Sequence, residues 1–153
     1  MFDDRYTFGT RLATPFEEVR EATEIALRDE GFGVLTEIDV AATMRAKLGA
    51  ELAPYVILGA CNPPLAHRAI QADPSVGALL PCNVVIRAEG DVVVVEAMDP
   101  EAALGLVDDA TVAAVAQEAR ARLWRAIQRL GAELPAAEPP VAELPVAELP
   151  ASR

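Results

Sequence analysis

One histidine, one lysine and two cysteines are all that this 153-residue chain has of those three residue types. So small a stock leaves little room for a clustered His/Cys metal centre, which usually presents close pairs of ligands. Aromatic residues make up only 5% of the chain, so its core must be built from Val, Leu, Ile and Ala. No apolar run approaches the roughly 18 residues of a membrane span. Cations are scarce as well. The net charge is −11, which speaks against a nucleic-acid partner, because phosphate contacts need clustered Lys and Arg, and equally disfavours an anionic membrane surface. The N-terminus, Met1-Phe2-Asp3-Asp4-Arg5, is acidic and has no long apolar stretch, so it does not read as a signal peptide. A cytoplasmic location is the expectation, and in a reducing compartment the two cysteines are expected to be free thiols.

What is present fits one compact α+β domain followed by a tail. Apolar residues make up 52% of the chain, enough for a single core at this length. Residues 1–131 are expected to form the globular domain and 132–153 a low-complexity Pro/Ala/Glu tail. In the tail Glu133, Glu138, Glu143 and Glu148 recur every five residues, and the repeated prolines forbid a regular helix.

Along the chain, Tyr6 to Leu12 alternates as a first strand. Thr14-Pro15-Phe16-Glu17 has the form of a capping box with proline at the first helical position. The helix it opens is expected to run to about Glu30 and to end at Gly31, with Phe16, Val19, Thr23, Ala26 and Leu27 as its buried stripe. A second strand, Val34 to Ile38, leads to Asp39, which caps a short helix from Val40 to Leu48 that stops at Gly49. Tyr55 to Ala60 reads as a central strand covered on both faces. Asn62 caps a helix from Pro63 to about Ala72, and His67 lies on that helix's polar side. Cys82 to Ala88 and Asp91 to Ala97 form a hairpin about Glu89-Gly90. The four valines Val92–Val95 make both faces of its second arm apolar, which calls for a helix layer on one side and a partner subunit on the other. The last helix starts at Asp108 or Asp109 and ends at Gly131. Its buried stripe is Val112, Val115, Ala116, Ala119, Leu123, Ile127 and Leu130, and Trp124 lies off that stripe. The elements then follow the order β-α-β-α-β-α-β-β-α.

Any chemistry is expected between Tyr55 and Asn83. Two Cys-Asn pairs, each beside proline, sit where a helix follows one strand and where a strand precedes the hairpin. Prolines at both places hold two loop edges, which is a way to pre-organise a pocket. The candidate ligand-binding residues are therefore Cys61, Asn62, Pro63, Pro81, Cys82 and Asn83. No catalytic constellation is identifiable, and no metal or cofactor is expected. Cys61 precedes a helix whose amides would stabilise a thiolate, but Pro63 and Pro64 remove two of the donors. Cys82 shares a strand face with Val84 and Ile86 and reads as a small buried hydrophobe.

Glu37-Ile38-Asp39, Lys47-Leu48-Gly49, Tyr55-Val56-Ile57-Leu58-Gly59-Ala60-Cys61-Asn62-Pro63, Leu80-Pro81-Cys82-Asn83 and Asp99-Pro100 together resemble the domain-of-unknown-function 302 family, over most of Thr14 to Leu130. The resemblance implies a single two-layer α+β domain: a curved, mainly antiparallel sheet of about five strands with helices packed on it, in the TATA-binding-protein-like class, often as a homodimer. It implies no activity and no catalytic residue. Three functions follow as expectations. The first is a homodimeric binding module for a small molecule or partner at the two Cys-Asn segments. The second is thiol chemistry, with Cys61 as nucleophile and Cys82 as its resolving partner. The third is a structural role, with the valine strand and Trp124 as a dimer face.

Overall fold

A computed structural model of the chain describes residues 1–138. The remainder of the expected tail, 139–153, lies outside the described residues. Among the described residues six strands form one sheet: β1 (Phe2–Asp3), β2 (Thr7–Leu12), β3 (Gly33–Asp39), β4 (Tyr55–Cys61), β5 (Cys82–Glu89) and β6 (Val92–Met98). They lie in the order β1-β2-β6-β5-β4-β3, and every neighbouring pair is antiparallel. The helices are α1 (Phe16–Asp29), α2 (Val40–Leu48), α3 (Pro63–Ala72), α4 (Pro100–Leu104) and α5 (Ala110–Glu133), with a 3-10 turn at Pro74–Leu79. Five strands were expected. The sixth is the two-residue β1, too short for any periodic signal to show.

One face of the sheet carries the main core. Residues of alternate parity point to it, as the pleat requires: Val56, Leu58 and Ala60 from β4, Val84 and Ile86 from β5, Val93, Val95 and Ala97 from β6, Phe8 and Leu12 from β2. Helices α1 and α5 pack on this face through Val19, Ala26 and Leu27, and through Leu123, Ala126, Ile127 and Leu130. The other end of α5 joins a second cluster. Val112, Val115, Ala116 and Ala119 pack there with Leu65 and Ala69 of α3, Val76 of the 3-10 turn and Leu104 of α4. One 24-residue helix thus serves two cores.

Three local expectations need correction. Thr14 does not cap α1. The helix begins at Phe16 with Pro15 in the cap position at φ −54° and ψ 144°, and no side chain accepts from the first turn. With the start displaced by one residue Thr14 stands outside the helix, and among the described residues its buried Oγ1 has no partner. The hairpin turn is Gly90-Asp91, because Glu89 pairs with Val92, and Gly90 supplies the positive φ of 61° that such two-residue turns need. Helix α5 does not stop at Gly131 but runs to Glu133, after which Ala13 N–H donates to Pro135 O (2.8 Å) and Ala137 N–H to Arg11 O (3.0 Å). The start of the Pro/Ala/Glu stretch is therefore laid against β2.

Part of the expected dimer face is covered within the chain, while Val92 and Trp124 are half-buried. Strand β6 is flanked by β2 and β5, and Val94, on the face away from α1 and α5, is fully buried by the chain itself. Trp124 packs on Phe8 with ring centroids 5.3 Å apart, and the Arg120 guanidinium lies 5.3 Å from the Trp124 ring. Arg120 Nε donates to Asp99 (3.0 Å) and Nη2 to Asp3 (2.8 Å), which ties the short β1 and the end of β6 to α5. The remaining caps are as expected: Asp39, Asn62 and Asp109 accept from Ala42, Leu65 and Val112, and Gly49 ends α2 at φ 62°. Among the described residues no helix is long and apolar enough to cross a membrane.

Candidate functional site

The two Cys-Asn segments meet because β4 and β5 are neighbours. Ala60 pairs with Cys82 and Gly59 with Asn83, so the end of β4 lies beside the start of β5. The approach is close. A methyl group on Gly59 would come within 3.0 Å of Pro81 Cγ and would overlap Thr36 Oγ1, so only glycine lets the proline settle against the strand. The Leu80–Pro81 peptide is cis.

Beyond this strand end lies a cavity of about 260 Å³. Its walls come from both cores: Phe32, Ala60 and Cys82 belong to the sheet core, while Leu65, Leu104, Val115 and Ala119 belong to the second cluster. It is the seam between the two, where side chains anchored to different surfaces leave a gap. Leu35 and Ile70 also line it, and at 65% and 43% exposure they mark where it meets solvent.

Of the six expected site residues, Cys61, Asn62, Pro81 and Cys82 line the cavity. Pro63 and Asn83 do not. Pro63 is exposed in the first turn of α3, and Asn83 is exposed opposite Gly59. His67 is exposed on the outer side of α3. Among the described residues no group of three or more His, Cys, Asp or Glu side chains is placed to hold a metal ion.

Both cysteines are free thiols. Burial pushes the Cys61 thiol up, and it pushes Cys82 up to about 11, with the neighbouring Cys61 adding to the effect. These directions oppose nucleophilic chemistry, which needs the thiolate. Asn62 is 8% exposed, and its Oδ1 is spent on the Leu65 amide at 3.3 Å. The rest of the wall is hydrocarbon, so the arrangement suits burial of an apolar body.

The lining residues that sequence reasoning passed over include Phe32, Leu35 and Leu104, the apolar side of α3 (Leu65, Ala66, Ile70) and the N-terminal part of the α5 stripe (Val115, Ala119). The side of α3 carried a usable signal: Leu65, Ala66, Ala69 and Ile70 repeat at helical spacing. Nothing local distinguishes Val115 and Ala119 from the α5 residues that pack on the sheet.

A family model described as domain of unknown function DUF302 matches residues 8–130. Among solved structures, the chain is similar to the crystal structure of an uncharacterized conserved DUF302 protein from Bacillus stearothermophilus. The two are 30% identical, the match covers 81% of this chain and 97% of that one, and the TM-score is 0.76. No curated protein matches the sequence.

Proposed function

The chain belongs to the family of the domain of unknown function DUF302, and we propose that it is a binding module whose ligand, a small and largely apolar molecule, sits between the two Cys-Asn segments. The observation that carries this reading is the cavity of about 260 Å³ walled by Cys61, Pro81, Cys82 and the apolar side of α3. Scaled from a 150 Å³ protein cavity that holds benzene, this volume suits roughly ten non-hydrogen atoms. A charged body would lose its hydration there without gaining a partner. Thiol chemistry has weaker support, since burial keeps both sulfurs protonated.

The test is a titration with ethylbenzene followed by amide NMR. Saturable shifts at Cys61, Leu65 and Ala66 are expected, and Ala66→Phe, which places a ring in the cavity, abolishes them. Absence of saturable shifts in the unmodified protein overturns the reading.

The same reading includes a homodimer, and the observation that favours it is α2. None of its nine residues is buried, and isolated helices of that length are marginal in water. Met44, Leu48 and the following Leu52 are exposed, as is Ile38 on the free-edge strand β3. A second copy suits this surface. Arg45 and Lys47 stand exposed on α2, while the outer side of α1 shows Glu17, Glu18 and Glu21. Two-fold packing of α2 on the partner's α1 would bring these opposite charges together while covering the apolar side chains.

A further inference from the structure

The residues just beyond α5 dock on the outer edge of β2. Leu134 is half-buried against the sheet core, and Ala136 stands opposite Leu12. Ala13 N–H donates to Pro135 O at 2.8 Å, and Ala137 N–H donates to Arg11 O at 3.0 Å. Strand β1 covers the same edge at Phe8 and Gly9, so the docked segment completes the cover from Arg11 to Ala13. An uncovered strand edge offers free N–H and C=O groups to other chains. Three features hold the segment: a leucine that reaches the core, a carbonyl in the next residue, and an N–H on a small residue two places further on. The proline costs nothing here, because its hydrogen bond runs through the carbonyl.

This five-residue pattern recurs in the sequence. Glu133-Leu134-Pro135-Ala136-Ala137 is followed by Glu143-Leu144-Pro145-Val146-Ala147 and by Glu148-Leu149-Pro150-Ala151-Ser152. Both later copies keep the leucine in second place and a small residue with a free N–H in fifth. In the docked copy these two places are the half-buried ones. The exchange of Ala136 for Val146 falls where the docked copy is exposed, so the larger side chain meets no wall. The intervening Glu138-Pro139-Pro140-Val141-Ala142 has proline where the leucine should be and lacks the anchor.

We propose that the outer edge of β2 is a docking slot for Glu-Leu-Pro-x-Ala segments, and that Glu143–Ala147 of the same chain is a second occupant, which takes the slot when the first copy leaves it. Docking the second copy shifts the register by ten residues, and closing a loop of that length lowers its population by about thirtyfold. The copy joined directly to α5 therefore holds the slot in the intact chain. A copy in another molecule at micromolar concentration competes against a tethered one whose effective concentration is in the millimolar range, so the slot is filled from within the chain. The repeats thus act as spare covers for one exposed edge.

Hydrogen exchange of the Ala13 amide reads the slot, since that N–H is bonded to the docked segment. Leu134→Ser together with Ala137→Pro removes the anchor and the donor of the first copy. In the full-length double variant the second copy should take over, and protection of Ala13 should fall by no more than about thirtyfold. The same variant ending at residue 142 should lose that protection altogether. Leu144→Ser with Leu149→Ser, added to the full-length double variant, should bring it down to the shortened one. Should the double substitution unfold the chain, Ala137→Pro alone disables the first copy for the same comparison. The proposal is overturned if the full-length and shortened variants exchange Ala13 equally fast, or if the shortened variant stays as protected as the unmodified protein. It is also overturned if the difference between them disappears on dilution, which would make a second molecule the occupant.

Discussion

A thiol held near pKa 11 when folded and near 9 when exposed makes stability depend on pH in one direction only. The raised value belongs to Cys82, whose neutral form the fold favours. Its contribution is intact below pH 9, where both states are protonated. It is lost as pH rises toward 11, because the unfolded chain then releases a proton that the folded chain retains. The size is on the order of 2–3 kcal/mol. Urea unfolding at pH 8 and at pH 10.5 should therefore show a larger loss for the unmodified protein than for Cys82→Ala. Parallel losses would mean that the sulfur is not sealed in the core. The sequence already marked this residue through its neighbours, since Val84 and Ile86 share its strand face.

Among the helices, a cap motif is informative where the helix start is fixed and misleading where it can slide. Asp39, Asn62 and Asp109 occupy cap positions and accept from the third amide beyond them. Thr14 has the same sequence signature, but Pro15 takes the cap position, and among the described residues the Thr14 hydroxyl has no partner. The two cases separate by mutation. Asp109→Ala should cost about 1 kcal/mol, the usual worth of a cap. Thr14→Val, which replaces a buried unpartnered hydroxyl with a methyl group, should leave stability within about 0.5 kcal/mol or raise it. Equal losses in thermal or urea unfolding would restore Thr14 as a cap. The buried stripes of α1 and α5 were legible because helical periodicity reports which residues share a face. Which core each part of α5 serves was not, because Val115 and Leu123 carry the same apolar signal.

Among the described residues, α2 and the strand edge beside it form a surface that nothing packs over. If a second copy covers it, sedimentation should give a dimer at micromolar concentration, and Leu48→Glu should shift it to monomer without unfolding the domain, since Leu48 is 73% exposed in the single chain. A monomer before mutation would end the dimer reading. From residue order alone came the α+β class, the helices and strands with most of their boundaries, the caps and the glycine stops, and the family. All of these depend on patterns within a few residues of one another. The cavity, its lining, the burial of Val94 and the packing of Trp124 on Phe8 followed from contacts between distant segments. Cys61 and Cys82 share a wall because Ala60 pairs with Cys82 across two strands. The wall is hollow because α5 spans two cores that do not close on each other. Side-chain packing across such separations depends on the assembled backbone, and no local pattern encodes it.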